Sequence, residues 1–232
     1  MTINELIKLY EEYKRKYKTE AYRYISGLLQ EAKEIHKRDW LQSPTPNQDH
    51  EQSWRAFKGK NLEKLILYII KDEVEKLELK AVEGNTLELT NGKNLSEELN
   101  RVKRNLLIDY GEFGSYLPDV DIIIYDPKNY EIIAVISSKV TLRERIAQTG
   151  YWKIKLSQDK VTKNIKVFFV TPDEDKTLTT KEPMKKGRAI VEIDTDGSYI
   201  MNEEEVEESD KVKKFDKFII DLTSLINAKR NK

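Results

Sequence analysis

Asp119 and Lys139 are the residues whose types and spacing could do chemistry together. Two β-branched runs, 120–125 (VDIIIY) and 132–140 (IIAVISSKV), flank Asp126-Pro127-Lys128-Asn129, a strong turn signal. Folding the runs antiparallel about a turn centred between Lys128 and Asn129 sets Asp119 opposite Ser138, flanked by Ser137 and Lys139. Directly opposed residues lie roughly 4.5 to 5.5 Å apart, so a carboxylate and an ammonium meet at the open end of an apolar hairpin. Phosphodiester hydrolysis needs a hard cation, oxygen ligands to hold it, and a group that orients the attacking water. In this layout Asp119 ligates the metal and Lys139 positions the water, while Pro118 fixes the chain as it enters the strand.

The segment after the lysine, Val140-Thr141-Leu142-Arg143-Glu144-Arg145-Ile146-Ala147-Gln148, carries a second signal. Thr141 and Glu144 have the spacing of a capping box, so a helix is expected to spring directly from the strand. Arg143 and Arg145 would then oppose the helix dipole at about 0.3 to 1 kcal/mol each, which asks for another use. Arginine bonds guanine O6 and N7 bidentately, and a carboxylate accepts from cytosine N4. An Arg-Glu-Arg turn is therefore equipped to read G·C pairs, each good bidentate pair discriminating by roughly 1 to 3 kcal/mol.

Pro118-Asp119 through Ser137-Ser138-Lys139 and Arg143-Glu144-Arg145 with Gln148 resembles the PD-(D/E)xK restriction endonucleases of the EcoRII, PspGI and BsaWI group. Looser support comes from 54–65 (WRAFKGKNLEKL) and 167–172 (VFFVTP). The resemblance implies a Type II restriction endonuclease that uses Mg²⁺ on double-stranded DNA at a short palindromic G·C-containing site. It implies Asp119 as metal ligand, Lys139 as catalytic lysine, and Arg143, Glu144, Arg145 and Gln148 as DNA contacts. Ser137, counted with Asp119, Lys139 and Glu63 in the expected catalytic group, stands where many such enzymes carry Asp or Glu, and Trp152 where this group commonly offsets that loss with a Glu. The second carboxylate must come from elsewhere: Glu63 on a long helix is the first candidate, with Glu112 and Asp121 as alternatives. Cutting two strands symmetrically needs two active sites, so a homodimer or larger homo-oligomer is expected. A repair or structure-specific nuclease, and a catalytically silent DNA-binding protein of the same fold, are the competing readings.

These residues need a scaffold. The 232 residues suffice for one sizeable domain. Apolar periodicity predicts two amphipathic helices over 3–40, a loop over 42–51, and a long helix over 54–79 despite Gly59. A hairpin turning at Gly84-Asn85, a helix over 96–106, a helix over 142–157, strands at 165–170 and 189–193, and a terminal helix over 212–228 follow. The expected fold is α/β (or α+β): a mixed sheet flanked by helices, with a helical N-terminal region (1–50) ahead of the nuclease core (51–232). Forty-one basic and forty-one acidic residues leave no net charge to announce a partner, and no cysteine is present for disulfides or thiolate zinc sites. His36 and His50 are too isolated for a triad, and Lys153, Lys155 and Lys160 are candidate phosphate contacts. No apolar run approaches membrane-spanning length, and the expected location is the cytoplasm.

Overall fold

The computed structural model describes residues 1–44, 49–88, 95–140 and 145–230. The chain begins with α1 (Ile3–Tyr17), started by a capping box between Thr2 and Glu5. A 3-10 segment leads into α2 (Ile25–Gln42) and then α3 (His50–Lys76), whose first turn is capped by Asp49 accepting from Gln52 N at 2.7 Å. Further on come β1 (Lys80–Glu83), the short α4 (Gly84–Glu88) and α5 (Glu97–Leu106). A two-stranded ribbon, β2 (Ile108–Asp109) with β3 (Ser115–Tyr116), precedes the central strands β4 (Ile122–Tyr125) and β5 (Ile132–Ser138). The remainder is α6 (Arg145–Gln158), β6 (Lys166–Thr171), α7 (Lys186–Asp194), β7 (Gly197–Ile200), β8 (Val212–Lys214) and α8 (Lys217–Arg230).

Six strands form one mixed sheet in the order β1-β4-β5-β6-β7-β8. The β1, β4 and β5 pairings are antiparallel, and those from β5 through β8 are parallel. The parallel neighbours β5, β6 and β7 are joined by the crossover helices α6 and α7, and helices pack on both faces of the central strands; accordingly all of β4 and β5 is buried. One face packs Ile122, Ile124 and Ile136 against Leu62, Leu65, Ile66 and Ile70 of α3, in an apolar cluster that extends through α1, α2 and α8. The other packs Ile123, Val135 and Val167 against Leu87, Val102, Leu106 and Leu156. The expected class, a mixed sheet flanked by helices with helices leading the chain, is the one found. Among the described residues no helix is long and apolar enough to cross a membrane.

Three expectations are corrected. The segment after α3 does not fold into its own hairpin: β1 pairs with β4, because β4 is apolar on both faces and needs a partner on that edge. The 189–193 segment lies within α7, where Val191 and fully buried Arg188 face inward, and the strand comes just after it at β7. The terminal helix starts at Lys217, since 212–214 extends the sheet as β8.

The β4–β5 connection forms as the turn residues dictate. Asp126 Oδ1 accepts from Lys128 N at 2.8 Å, Asn129 Oδ1 accepts from Glu131 N at 2.9 Å, and Tyr130 takes a positive φ of 62°. Beyond the turn the pairing moves by one residue, from Tyr125 opposite Ile132 to Ile124 opposite Ala134. Ile133 and Ala134 consequently both join the cluster under α3, the mark of an inserted bulge residue. This bulge overturns the register that set Asp119 opposite Ser138, because a one-residue slip changes every partner downstream.

Candidate active site

Asp121 ends up beside Lys139. Its backbone N–H donates to Ile136 O at 3.0 Å, although Ile136 is already the partner of Ile122, so the chain leaves the β4–β5 register at this residue. Its side chain accepts the Ser138 N–H at 2.5 Å, and the Lys139 ammonium bonds Oδ1 at 3.0 Å and Oδ2 at 2.9 Å. Asp121 is buried, whereas Lys139 is partly open to solvent. Glu63, presented by α3 next to buried Leu62, brings its Oε1 to 3.6 Å from the ammonium and its carboxyl against that of Asp121. Glu63, Asp121 and Lys139 therefore converge at one end of the sheet from three separate elements.

Two carboxylates around one ammonium in a half-buried place disfavour full ionisation. Burial, and then the charge of Asp121, push Glu63 up to about 7, against the pull of Lys139. Ser138 Oγ, just before Lys139 in the chain, is buried with no hydrogen-bond partner among the described residues.

Close backbone packing fixes Asp121 from behind. Gly84 N donates to Asp121 O at 2.9 Å, and a Cβ on Gly84 would fall 1.8 Å from Val120 O. No side chain fits there, so Gly84 is present for close approach and not for a hairpin turn. An isolated glycine at the end of a strand carries that signal. Lys64, 3.9 Å from Glu83, ties α3 to β1 on the same flank.

The other predicted residues are placed differently. Asp119 is exposed, makes no ion pair with Lys139, and accepts from Gln148 Nε2 of α6 at 2.7 Å. It also faces Glu88, whose carboxyl is raised by burial and then by Asp119. Ser137 is buried in β5 opposite Phe169 of β6, and among the described residues its side chain bonds none of the three converging groups. Glu112 lies on the exposed ribbon loop, and Trp152 packs against the second apolar cluster. Arg143 and Glu144 fall outside the described residues, as does Thr141 of the capping box; Arg145 is the first residue of α6. Lys153 pairs with Asp196 at 2.5 Å, and Lys155 stands over the rings of Tyr110 and Tyr151. His36 is buried against Trp54 and Phe57.

The donor set suits a hard divalent cation. Glu63 and Asp121 offer carboxylate oxygens, and among the described residues no group of three or more histidine or acidic side chains gathers to hold a metal. Two carboxylates with water and phosphate oxygens completing the shell is the pattern of Mg²⁺, which keeps several waters and binds few protein groups.

Comparison with known proteins places the chain in a family. A curated protein of Methanocaldococcus jannaschii, named as type II restriction enzyme MjaVIP, is 36% identical over 230 residues, covering 97% of this chain and 95% of the relative. A Helicobacter pylori protein, named as type II restriction enzyme HpyAORF263P, is 39% identical over 134 residues, 58% of this chain and 67% of that protein. The restriction endonuclease PspGI in its complex with substrate DNA superposes with a TM-score of 0.57 at 14% identity, over 96% of this chain and 93% of that one. The AgeI–DNA complex gives 0.54 at 14% identity, over 94% and 91%. At such identity these two structures speak for the fold alone. The family model described as BsaWI restriction endonuclease type 2 matches residues 98–221, more than half of the chain and inclusive of Asp121, Lys139 and α6. The chain belongs to the BsaWI family of type 2 restriction endonucleases.

Proposed function

We propose that this type II restriction endonuclease hydrolyses double-stranded DNA with Mg²⁺ at a short palindromic site containing G·C pairs, with Glu63, Asp121 and Lys139 as its catalytic group. The observation that carries the assignment is the Lys139 ammonium held between Asp121, at 2.9 Å, and Glu63, at 3.6 Å. Glu63 and Asp121 would hold the cation, which when bound polarises the scissile phosphate and lowers the pKa of water. Lys139 orients the attacking water and offsets charge developing on the phosphate. Ser138 N–H and Gly84 keep Asp121 in place. In the metal-free protein Glu63 retains a proton up to about pH 7, which relieves repulsion between the two carboxylates.

Base reading falls to Arg143, Glu144 and Arg145, with Gln148 alongside. The hydrogen bond from Gln148 to Asp119 supports this, since it anchors α6 to the chain two residues before Asp121. Asp119 is then a positioning residue for α6 and not a metal ligand. Ser137 needs no chemical role. Two copies of the chain, related by a two-fold axis, would cut the two strands, and the cysteine-free composition suits a reducing cytoplasm.

Digestion of plasmid DNA with Mg²⁺, followed by sequencing of the ends, tests the reading. A defined fragment ladder with one recurrent symmetric end sequence supports it. Smearing, cutting only at branched DNA, or binding without cleavage under any divalent metal would each defeat it.

A further inference from the structure

Beside the catalytic group an open groove of about 380 Å³ runs between α2 and α3, lined by Gln30, Lys33, Glu51, Arg55, Lys58 and Glu174 among others. It adjoins the end of β5 through a short chain of bonds. Lys58 Nζ lies 3.0 Å from Glu174 Oε2, and Glu174 N donates at 3.3 Å to the carbonyl of Val140, the residue after Lys139. A duplex lying against Lys139 therefore passes close to this groove. Three cations line it, in a chain whose total charge is zero.

The cations are held in an exchangeable way. Lys33 pairs with Glu51 at 2.8 Å and Lys58 with Glu174 at 3.0 Å, while Arg55 makes no ion pair with a carboxylate among the described residues. Exposed or half-exposed pairs of this kind are weak, and a phosphate accepts from lysine and arginine at least as well as a carboxylate does. Glu51 and Glu174 stand where phosphate oxygens would sit.

We propose that this groove binds the sugar-phosphate backbone of the duplex flanking the cut site, with Lys33, Arg55 and Lys58 as phosphate contacts and Glu51 and Glu174 as competing placeholders. The proposal rests on the reading of the chain as a DNA-cleaving enzyme. Its contribution is independent of base sequence, because phosphate contacts position a protein without reading bases. It gives α2 a role that the catalytic group alone does not.

The test is binding of a fluorescein-labelled random-sequence duplex by the full chain, without divalent metal, from about 50 to 200 mM salt, the range over which phosphate contacts show. Each phosphate neutralised contributes about −0.9 to the slope of log K against log salt. Lys58→Gln and Arg55→Gln should each flatten that slope by about 1 and weaken binding several-fold at the low-salt end. Glu174→Gln should tighten it there, since the competitor for Lys58 is removed. The triple variant of Lys33, Arg55 and Lys58 keeping the wild-type slope, with unchanged thermal unfolding, overturns the proposal. If that variant does not fold, weaker or unaltered binding by Glu174→Gln overturns it instead. Failure of the wild-type chain to bind any duplex would sink the DNA reading itself, and the groove with it.

Discussion

Asp121 and Lys139 are joined through both carboxylate oxygens, at 2.9 and 3.0 Å, although 18 residues separate them in the chain. The contact exists because the β4–β5 hairpin brings the two strand ends together, and because the backbone N–H of Ser138 holds the Asp121 carboxylate at 2.5 Å. Asp119, two residues earlier, is turned toward α6.

Asp121→Asn should therefore lower DNA cleavage by on the order of 10²- to 10³-fold, the scale of losing one group that stabilises transition-state charge. Asp119→Asn should keep the catalytic rate within a few-fold. Single-turnover cleavage of a plasmid by both variants decides which aspartate belongs to the chemistry; the reverse ranking would return the role to Asp119.

Lys139→Ala is expected to abolish cleavage and to leave duplex binding intact. It also strips the cation from between two carboxylates, so thermal unfolding above pH 7 should come earlier than in wild type, by a loss on the order of 1 to 3 kcal/mol. Adding a divalent cation should recover part of that stability, since it supplies the missing charge.

The raised Glu63 carboxyl gives metal-free stability a pH dependence of known sign. The folded state binds this proton more tightly than the unfolded one, about 7 against an ordinary 4.5. The group's contribution is complete below about 4.5 and is lost as pH rises toward 7. Melting temperature in EDTA should fall across that window, and Glu63→Gln should flatten the fall. A wild-type profile that instead rises between these values would contradict the coupling of Glu63 to Asp121.

Gly84 and Gly59 should respond in opposite directions to alanine. At Gly84 the new Cβ lands 1.8 Å from Val120 O, a backbone atom that cannot move without Asp121, so both stability and cleavage should drop. At Gly59, exposed within α3 with nothing inside 4 Å, alanine should stabilise by about 0.5 to 1 kcal/mol. Chemical unfolding of the two variants side by side measures the contrast.

Arg143→Ala and Arg145→Ala should weaken binding to the cognate site by about 1 to 3 kcal/mol each, with little change on random duplex. Competition binding with both duplexes reads the difference, and normal cutting of the same site by both variants would remove these residues from recognition.

Much of the protein was legible in the residues themselves. Local signals brought out the helical leading third, the two β-branched runs and their turn, and Lys139 as a candidate, while the family resemblance brought in Glu63. Those signals act over a few residues: apolar period, turn chemistry, a lysine ending an apolar strand. What only the tertiary structure decided is long-range. Asp121, and not Asp119, meets Lys139 because the chain leaves the β4–β5 register just before β4 and the Asp121 carboxylate folds back onto Ser138 N, a departure that no local signal marks. Gly84 read as a turn until Val120 was seen against it, and 189–193 read as a strand until the buried face of α7 was seen. Glu63 lies 58 residues before Asp121, and only the packing of α3 on the sheet brings it to Lys139. Sequence thus set which groups were available, while register and packing, which depend on contacts between distant segments, set which of them meet.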